Sequence, residues 1–381
     1  MTLTVEEARS RVDAYVDRLR QLVSLDTPTT EPQLVNTALQ LVAGWCRDLG
    51  ACIAWEDGTP YKEPRGRILL ARFGQDRPRR ALLLGHVDTV WPAGEAARRP
   101  FRVHGGRILG PGVYDMKGGL VLAVEALRWL RQRHVEPAVT CLFTPDEEIG
   151  SWVSRAIIER EASAHPVALC FEPPAGEALV VQRKGIMQFT VRAIGRSSHA
   201  GIAPEKGVNA VEEMAHQILA IQGMAGLEPG TTVSCDVVRG GERVNVVPAE
   251  ATLDVDVRIP SLAARDAVTQ AFRGLAPVLP GARLEVTPLF KRPPMVCTGR
   301  TRALADTARE TGRELGLRIE FAASGGISDG NFAAAVGCPT LDGLGPVGDD
   351  AHALQEHLDL DALPSRLALV TALIQRLAQD P

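Results

Sequence analysis

Four short, largely apolar runs each break off into acidic or histidine residues, and this punctuation restricts the available folds more than any other feature of the chain. Leu82-Leu83-Leu84-Gly85 runs into His86-Val87-Asp88, Thr140–Thr144 into Asp146-Glu147-Glu148, and Val167–Phe171 into Glu172. Pro339–Leu344 precedes a loop carrying Asp349, Asp350 and His352. Apolar runs this short, without polar alternation, read as strands buried on both faces. Ile68–Phe73 and Ala81–Leu84 read as strands, Gly119–Arg131 as a helix, and Val139–Phe143 and Val167–Phe171 again as strands. Ahead of them, Val5, Ala8, Val12, Tyr15, Val16, Leu19 and Leu22 predict one opening amphipathic helix, and Leu34–Leu49 a second. The rhythm predicts an α/β fold: a mixed, largely parallel sheet flanked by helices.

From about Gly185 the order changes to strand (Ile186–Ile194), helix (Val208–Met224), strand (Thr231–Val238), strand (Ala251–Arg258), helix (Leu262–Leu275) and strand (Ala282–Pro288). That is the split βαβ plan, a compact four-stranded α+β domain with two helices on one face. Residues 186–292 are therefore expected to form an inserted domain, and residues 1–185 and 293–381 the domain that it interrupts. A length of 381 residues with 45% hydrophobic content suits two such cores.

Composition excludes several partners. A net charge of −4 and basic residues spread along the chain offer no track for a phosphate backbone, so no nucleic acid is expected. The seven cysteines (46, 52, 141, 170, 235, 297 and 338) form no CxxC and suggest neither a disulfide framework nor a cysteine metal site. The first twenty residues alternate charge and apolarity rather than forming a signal peptide, and no run approaches membrane-helix length. A cytoplasmic protein without membrane contact is the expectation.

In open α/β sheets the carboxyl ends of the strands frame the ligand crevice. Carboxylates and imidazoles gathered there repel or compete unless a cation or proton sits among them. Two histidines with three or four carboxylates suit zinc, or a neighbouring first-row metal, better than the all-oxygen preference of magnesium or calcium. His86 and Asp88 are two apart on extended backbone and share a face, so Asp88 can fix the ring of His86. Alone, the pair reads more readily as an isolated structural pair. Asp115 lies between glycine turns in Gly110–Gly119, as a ligand or as the N-cap of the following helix. Glu147 and Glu148 should diverge, one toward metal and one toward water, although Asp-Glu-Glu alone is also an ordinary solvated turn. Their joint occurrence at strand ends favours the metal centre.

Leu84–Val90, Gly112–Gly119, Asp146–Ser151 and Ser198-His199-Ala200-Gly201 together resemble the motifs of the zinc aminoacylase and carboxypeptidase family, nearest its bacterial glutamate carboxypeptidase branch. The resemblance spans essentially the whole chain and implies two zinc ions per subunit bridged by Asp115. His86 and Glu172 would complete one site, and Glu148 and His352 the other. Glu147 would be the general base, Asp88 the orienter of His86, and the Asp115–Met116 peptide cis. His352 matches the family histidine that precedes a glutamate by four residues, here Glu356; His357 would be a surface residue. Metal would polarise the scissile carbonyl and acidify a water, with Glu147 shuttling its proton to the leaving amine.

The resemblance further implies a homodimer made by the inserted lid domain, with His199 reaching the partner subunit's active site as an oxyanion donor. Asn245, Arg258 and Arg292 resemble the family's substrate-holding positions, where arginine can bind a substrate carboxylate through two hydrogen bonds. The Ser324–Asn331 glycine loop, Gly326 in particular, could offer backbone N–H groups to the same carboxylate. Arg258 reads equally as a strand-end ion-pair partner, and the glycine loop as a plain turn. A lysine that some glutamate-specific relatives carry near Glu177–Val181 has no match. The implied function is a metallocarboxypeptidase releasing a C-terminal amino acid, glutamate among the candidates, from peptides or N-acyl conjugates. An N-acyl-amino-acid deacylase performs the same chemistry on the other side of the amide. A non-catalytic binding member would not need Glu147, and a two-metal phosphatase or nuclease would turn over phosphate esters instead.

Overall fold

The computed structural model describes residues 2–74 and 77–379. The chain divides into two compact units: Met1–Gln182 with Cys297–Ser324 and Ser328–Pro381, and Arg183–Val296 with Gly325–Ile327.

The first unit is built on a six-stranded sheet. Its order is Cys52–Glu56, Ile68–Arg72, Val139–Thr144, Ala81–His86, Ala168–Cys170 and Thr340–Leu341. The last four strands run parallel, and the first two are added at one edge, each antiparallel to its inner neighbour. Both faces are covered, which is why the strands read as unbroken apolar runs. Leu69, Ala71, Leu83, Cys141, Phe143 and Leu169 join a core supplied by the helices Val12–Val23, Pro32–Asp48, Gly118–Gln132 and Leu363–Gln379. The alternate residues Ile68, Leu70, Leu82, Leu84, Leu142 and Cys170 pack with Ile157, Ile158 and Phe332 on the other face.

The opening helix differs from the single one predicted: it is split into Val5–Arg9 and Val12–Val23. Thr4 and Glu7 form a reciprocal cap at its start, and the Ser10 hydroxyl donates to the Glu7 carbonyl at 2.7 Å. Such side-chain competition for ladder carbonyls favours a helix end. The second predicted helix begins earlier, at Pro32, because proline is tolerated in a first turn.

A small antiparallel sheet in the same unit joins Gly348–Asp349, His357–Asp359, Arg107–Leu109 and Arg102–His104. It has no signature in the sequence patterning, and it roots the Gly110–Asp115 and Asp350–Glu356 loops on neighbouring strands.

The second unit has the strands Thr232–Gly240, Glu250–Ile259, Gly185–Ile194 and Arg283–Arg292 side by side in that order, all antiparallel. The helices Ala210–Gln222 and Leu262–Arg273 pack Met214, Ile221, Val268 and Phe272 onto one face, against Phe189, Val191, Leu253 and Val255. Phe189 and Phe272 stack with ring centroids 3.7 Å apart.

Candidate metal centre

The parallel strands deliver their terminal residues to one edge of the sheet. His86 ends its strand beside Thr144, and Leu84 lies beside Cys170 two residues before Glu172. The helix after the glycine loop starts at Gly118 with Lys117 at its cap, so Asp115 is not its N-cap. Asp115 sits instead in the turn Val113–Lys117, whose peptide to Met116 is cis. Gly112 precedes it at φ +72°, where a Cβ would also meet Thr89 at 2.6 Å.

Asp115 presents one oxygen to each of two histidines. Its Oδ1 lies 3.2 Å from His86 Nε2, and its Oδ2 lies 3.2 Å from His352 Nε2. His86 Nε2 is also 3.6 Å from Glu172 Oε1, and His352 Nε2 is 3.2 Å from Glu148 Oε2. Charge-assisted N–H···O bonds usually close to about 2.7–2.9 Å. Donors sharing a tetrahedral ion through bonds of about 2.0–2.1 Å stand about 3.3 Å apart. The observed spacings fit the second arrangement better. Among the described residues two donor groups lie within 4.8 Å, namely His86, Asp115 and Glu148, and His86, Glu147 and Glu172. Glu147 and Glu148 thus diverge into different groups. Glu148 Oε1 is a further mark of a missing partner, being buried without a hydrogen bond. The donor set therefore fits zinc or a neighbouring first-row metal.

The protein's own charges show what a cation would relieve. Burial pushes Glu148 up to about 7 despite its bond to His352. Burial raises Glu172 well above the usual carboxylate range, and the nearby carboxylates of Asp115 and Glu147 add to this. The Asp115 and Glu148 carboxylates raise His352 to about 10. Burial opposes a charge on His86, yet Glu172, Asp115 and Asp88 outweigh it and raise that ring too. Burial also opposes ionisation of Asp115, but the two histidines hold its carboxyl well below the ordinary value.

Asp88, fully buried, ties the centre together. The Nδ1 of His86 faces the Asp88 carbonyl at 3.0 Å and its carboxylate at 3.3 Å. The same carboxylate accepts from the Thr29 hydroxyl at 2.7 Å and from the backbone N–H of both Glu147 and Glu148 at 3.2 Å. The Glu147–Glu148 turn is pinned at its flanks as well. Asp146 accepts from Val153 N–H at 2.8 Å and from the Ser154 hydroxyl, while Asp329 accepts from Thr144 at 2.8 Å and from Ser151. Sequence reasoning did not single out Thr29, Asp329 or Asp146 as supports. Nothing but their polarity beside apolar runs could have flagged them.

His352 stands half-exposed on backbone at φ +62°, with Asp350 at φ +61°. These sparsely populated conformations turn the ring toward Asp115. His357 does not meet the donor cluster. It is buried rather than at the surface, contrary to expectation, and its Nδ1 faces the Gln355 carbonyl at 3.0 Å.

The remaining candidates lie in the second unit. His199 is exposed, and its Nδ1 accepts backbone N–H from Gly201 and Ile202 at 3.1 Å each. With Nδ1 accepting, Nε2 is left as the donor nitrogen of the ring. Asn245 is exposed and its carbonyl accepts from Ala200 at 3.0 Å. Arg258 donates from Nε to Asp256 at 2.7 Å, the ion-pair alternative. Arg292 is 1% exposed, and Gly326 is exposed in the Gly325–Ile327 segment. No helix among the described residues is long and apolar enough to cross a membrane.

Comparison with known proteins follows the same lines. The sequence profile of peptidase family M20/M25/M40 matches residues 82–376. Carboxypeptidase G2 of Pseudomonas sp. (strain RS-16) is 30% identical over 383 residues, 98% of this chain and 91% of the relative. Acetylornithine deacetylase of Proteus mirabilis (strain HI4320) is 28% identical over 390 residues, 96% and 97% of the two chains. Among solved structures, a tripeptidase from Staphylococcus aureus subsp. aureus mu50 superposes with a TM-score of 0.81 at 22% identity, covering 97% of this chain and 99% of that one. At that identity the likeness is one of fold.

Proposed function

We propose that this chain, which belongs to peptidase family M20/M25/M40, is a two-zinc metallocarboxypeptidase that frees a C-terminal amino acid from a peptide or N-acyl conjugate. It is a hydrolytic enzyme of the carboxypeptidase and aminoacylase type; the zinc count, the residue roles and the substrate form the proposal. One observation carries it: Asp115 offers its two oxygens to two different histidines, each with its own second carboxylate. His86, Glu172 and Asp115 would hold one ion, and Glu148, His352 and Asp115 the other.

Bound there, two zinc ions supply Lewis acidity and make water a nucleophile near neutral pH. The chain does the rest. Glu147 takes the proton of the attacking water and returns it to the leaving amine. Asp88 holds the Nδ1 side of His86 and the backbone of the Glu147 turn in one frame. His199, its Nδ1 occupied, has Nε2–H to donate to the developing oxyanion of the partner subunit's substrate. Asn245, Arg292 and Gly326 would grip the substrate carboxylate, joined by Arg258 if it yields Asp256.

A cytoplasmic homodimer through the second unit completes the proposal. Its edge strand Thr232–Gly240 exposes Val238 by 59%, and the helix Ala210–Gln222 exposes Leu219 by 74%. An unpaired edge beside apolar side chains suits a second copy. Similarity to an acetylornithine deacetylase favours one alternative, N-acyl-amino-acid deacylation.

The test is release of free amino acid from matched dipeptides and N-acyl amino acids by the zinc-loaded protein, with Glu147→Gln as blank. Faster release from peptide-like substrates bearing a free C-terminal carboxylate is expected. Preference for short N-acyl groups moves the assignment to the deacylase, and phosphate-ester turnover without amine release overturns both.

A further inference from the structure

We propose that Glu356 is a positioning residue that fixes the Asp115 loop at the correct distance from His352; this rests on reading those two residues as ligands. Glu356 is 1% exposed and spends both oxygens on donors of other segments. Its Oε1 accepts the backbone N–H of Tyr114 at 3.0 Å and of Asp115 at 3.1 Å. Its Oε2 accepts the backbone N–H of Gly112 at 2.8 Å and the indole N–H of Trp91 at 3.1 Å. Three N–H groups of one loop converging on one carboxylate form an anion nest. Here the anion belongs to the protein, and with four donors already held, Glu356 is not itself a ligand.

The geometry explains why this carboxylate matters to the centre. Gly112 needs a left-handed backbone, and the turn around Asp115 departs from helical φ and ψ at Asp115 and Met116. Such a loop has no ladder of its own to satisfy these N–H groups. Glu356 supplies their acceptor from a segment that begins with His352, so one short turn contributes a ligand and shapes the loop that carries the other.

That turn is itself anchored. Ala353 N–H donates to the Asp350 carbonyl at 2.9 Å, and Glu356 N–H to the Ala353 carbonyl at 3.1 Å. Arg99 donates to the Leu354 carbonyl at 3.2 Å and lies 3.9 Å over the Trp91 ring. The strands flanking both loops, His357–Asp359 and Arg107–Leu109, pair in register His357 to Leu109. The 3.2 Å spacing of Asp115 and His352 is therefore set from outside the donor cluster.

Glu356→Gln keeps the shape but replaces one acceptor oxygen with an NH2 that opposes the loop's N–H groups. Zinc titrations against a competing chelator, and kcat and KM, are measured for wild type, Glu356→Gln and Trp91→Phe. Glu356→Gln should bind zinc about 10–100-fold more weakly and lose kcat by a similar factor with little change in KM. Trp91→Phe, which removes one donor and leaves the nest intact, should shift zinc affinity in the same direction by less. Wild-type zinc affinity and kcat in Glu356→Gln overturn the inference. If Glu356→Gln does not fold, wild-type zinc affinity in Trp91→Phe overturns it instead. A wild type that binds no zinc sinks the functional reading itself, so the two failures are distinguishable.

Discussion

The carboxylate of Asp88 accepts the backbone N–H of Glu147 at 3.2 Å while standing 3.3 Å from the ring nitrogen of His86. A single buried side chain therefore holds His86, the proposed ligand, at one strand end and the backbone of Glu147, the proposed general base, at the neighbouring one. Asp88→Asn preserves size but can present an NH2 where three donors now converge. We expect kcat to fall about 10–100-fold, the range for groups that orient a metal ligand. Steady-state assay checks this, and kcat within twofold of wild type contradicts it.

Zinc binding should release protons. In the protein without metal, His352 is raised to about 10 and Glu148 to about 7, so near pH 7 the ring carries a proton and Glu148 is partly protonated. Ligands must be deprotonated to bind, so affinity falls as pH drops through these values. Calorimetry in buffers of different ionisation enthalpy should show net release of at least about one proton per chain at pH 7. Zero release contradicts the ligand role of His352.

If His199 acts across a dimer, breaking the dimer should silence the enzyme without emptying its metal centre. Leu219→Lys and Val238→Lys place charge on the exposed apolar positions of the second unit. Analytical ultracentrifugation should show a monomer with wild-type metal content and little activity. A fully active monomer refutes the trans role of His199.

A pH effect on stability is expected far from the centre, at His165. Burial lowers its pKa below the ordinary value of about 6.5. Its Nδ1 faces the Glu161 carbonyl at 2.6 Å and its Nε2 the Thr140 hydroxyl at 2.9 Å, which suits the neutral ring. A depressed folded-state pKa gives stability that is complete above pH of about 6.5 and lost as pH falls from there through the folded value. His165→Gln, melted in chelator, should lose less Tm between pH 7 and pH 5 than wild type. An equal loss in both proteins contradicts the assignment.

Much of the fold is legible because burial on both faces makes the central strands continuous apolar runs, as at Leu82–Leu84 and Val139–Phe143. The same logic gathers His86, Glu147, Glu148 and Glu172 at one sheet edge. What escapes is set by contacts across long sequence distances. Glu356 and Gly112 are 244 residues apart, and Asp329 and Thr144 are 185 apart. No local pattern announces such pairs. The small sheet that roots the Asp115 and His352 loops is equally hidden, since its strands are two or three residues long. The first helix breaks where the Ser10 hydroxyl takes the Glu7 carbonyl, a contact that periodicity does not register.

The most direct test of the two-ion centre is metal content by plasma emission spectroscopy on native wild type and Glu147→Gln, with activity assayed in parallel. Two zinc ions per chain are expected in both proteins, with activity lost by about 10²–10⁴-fold in the variant alone. A wild type without bound metal, or a Glu147→Gln protein as active as wild type, contradicts it.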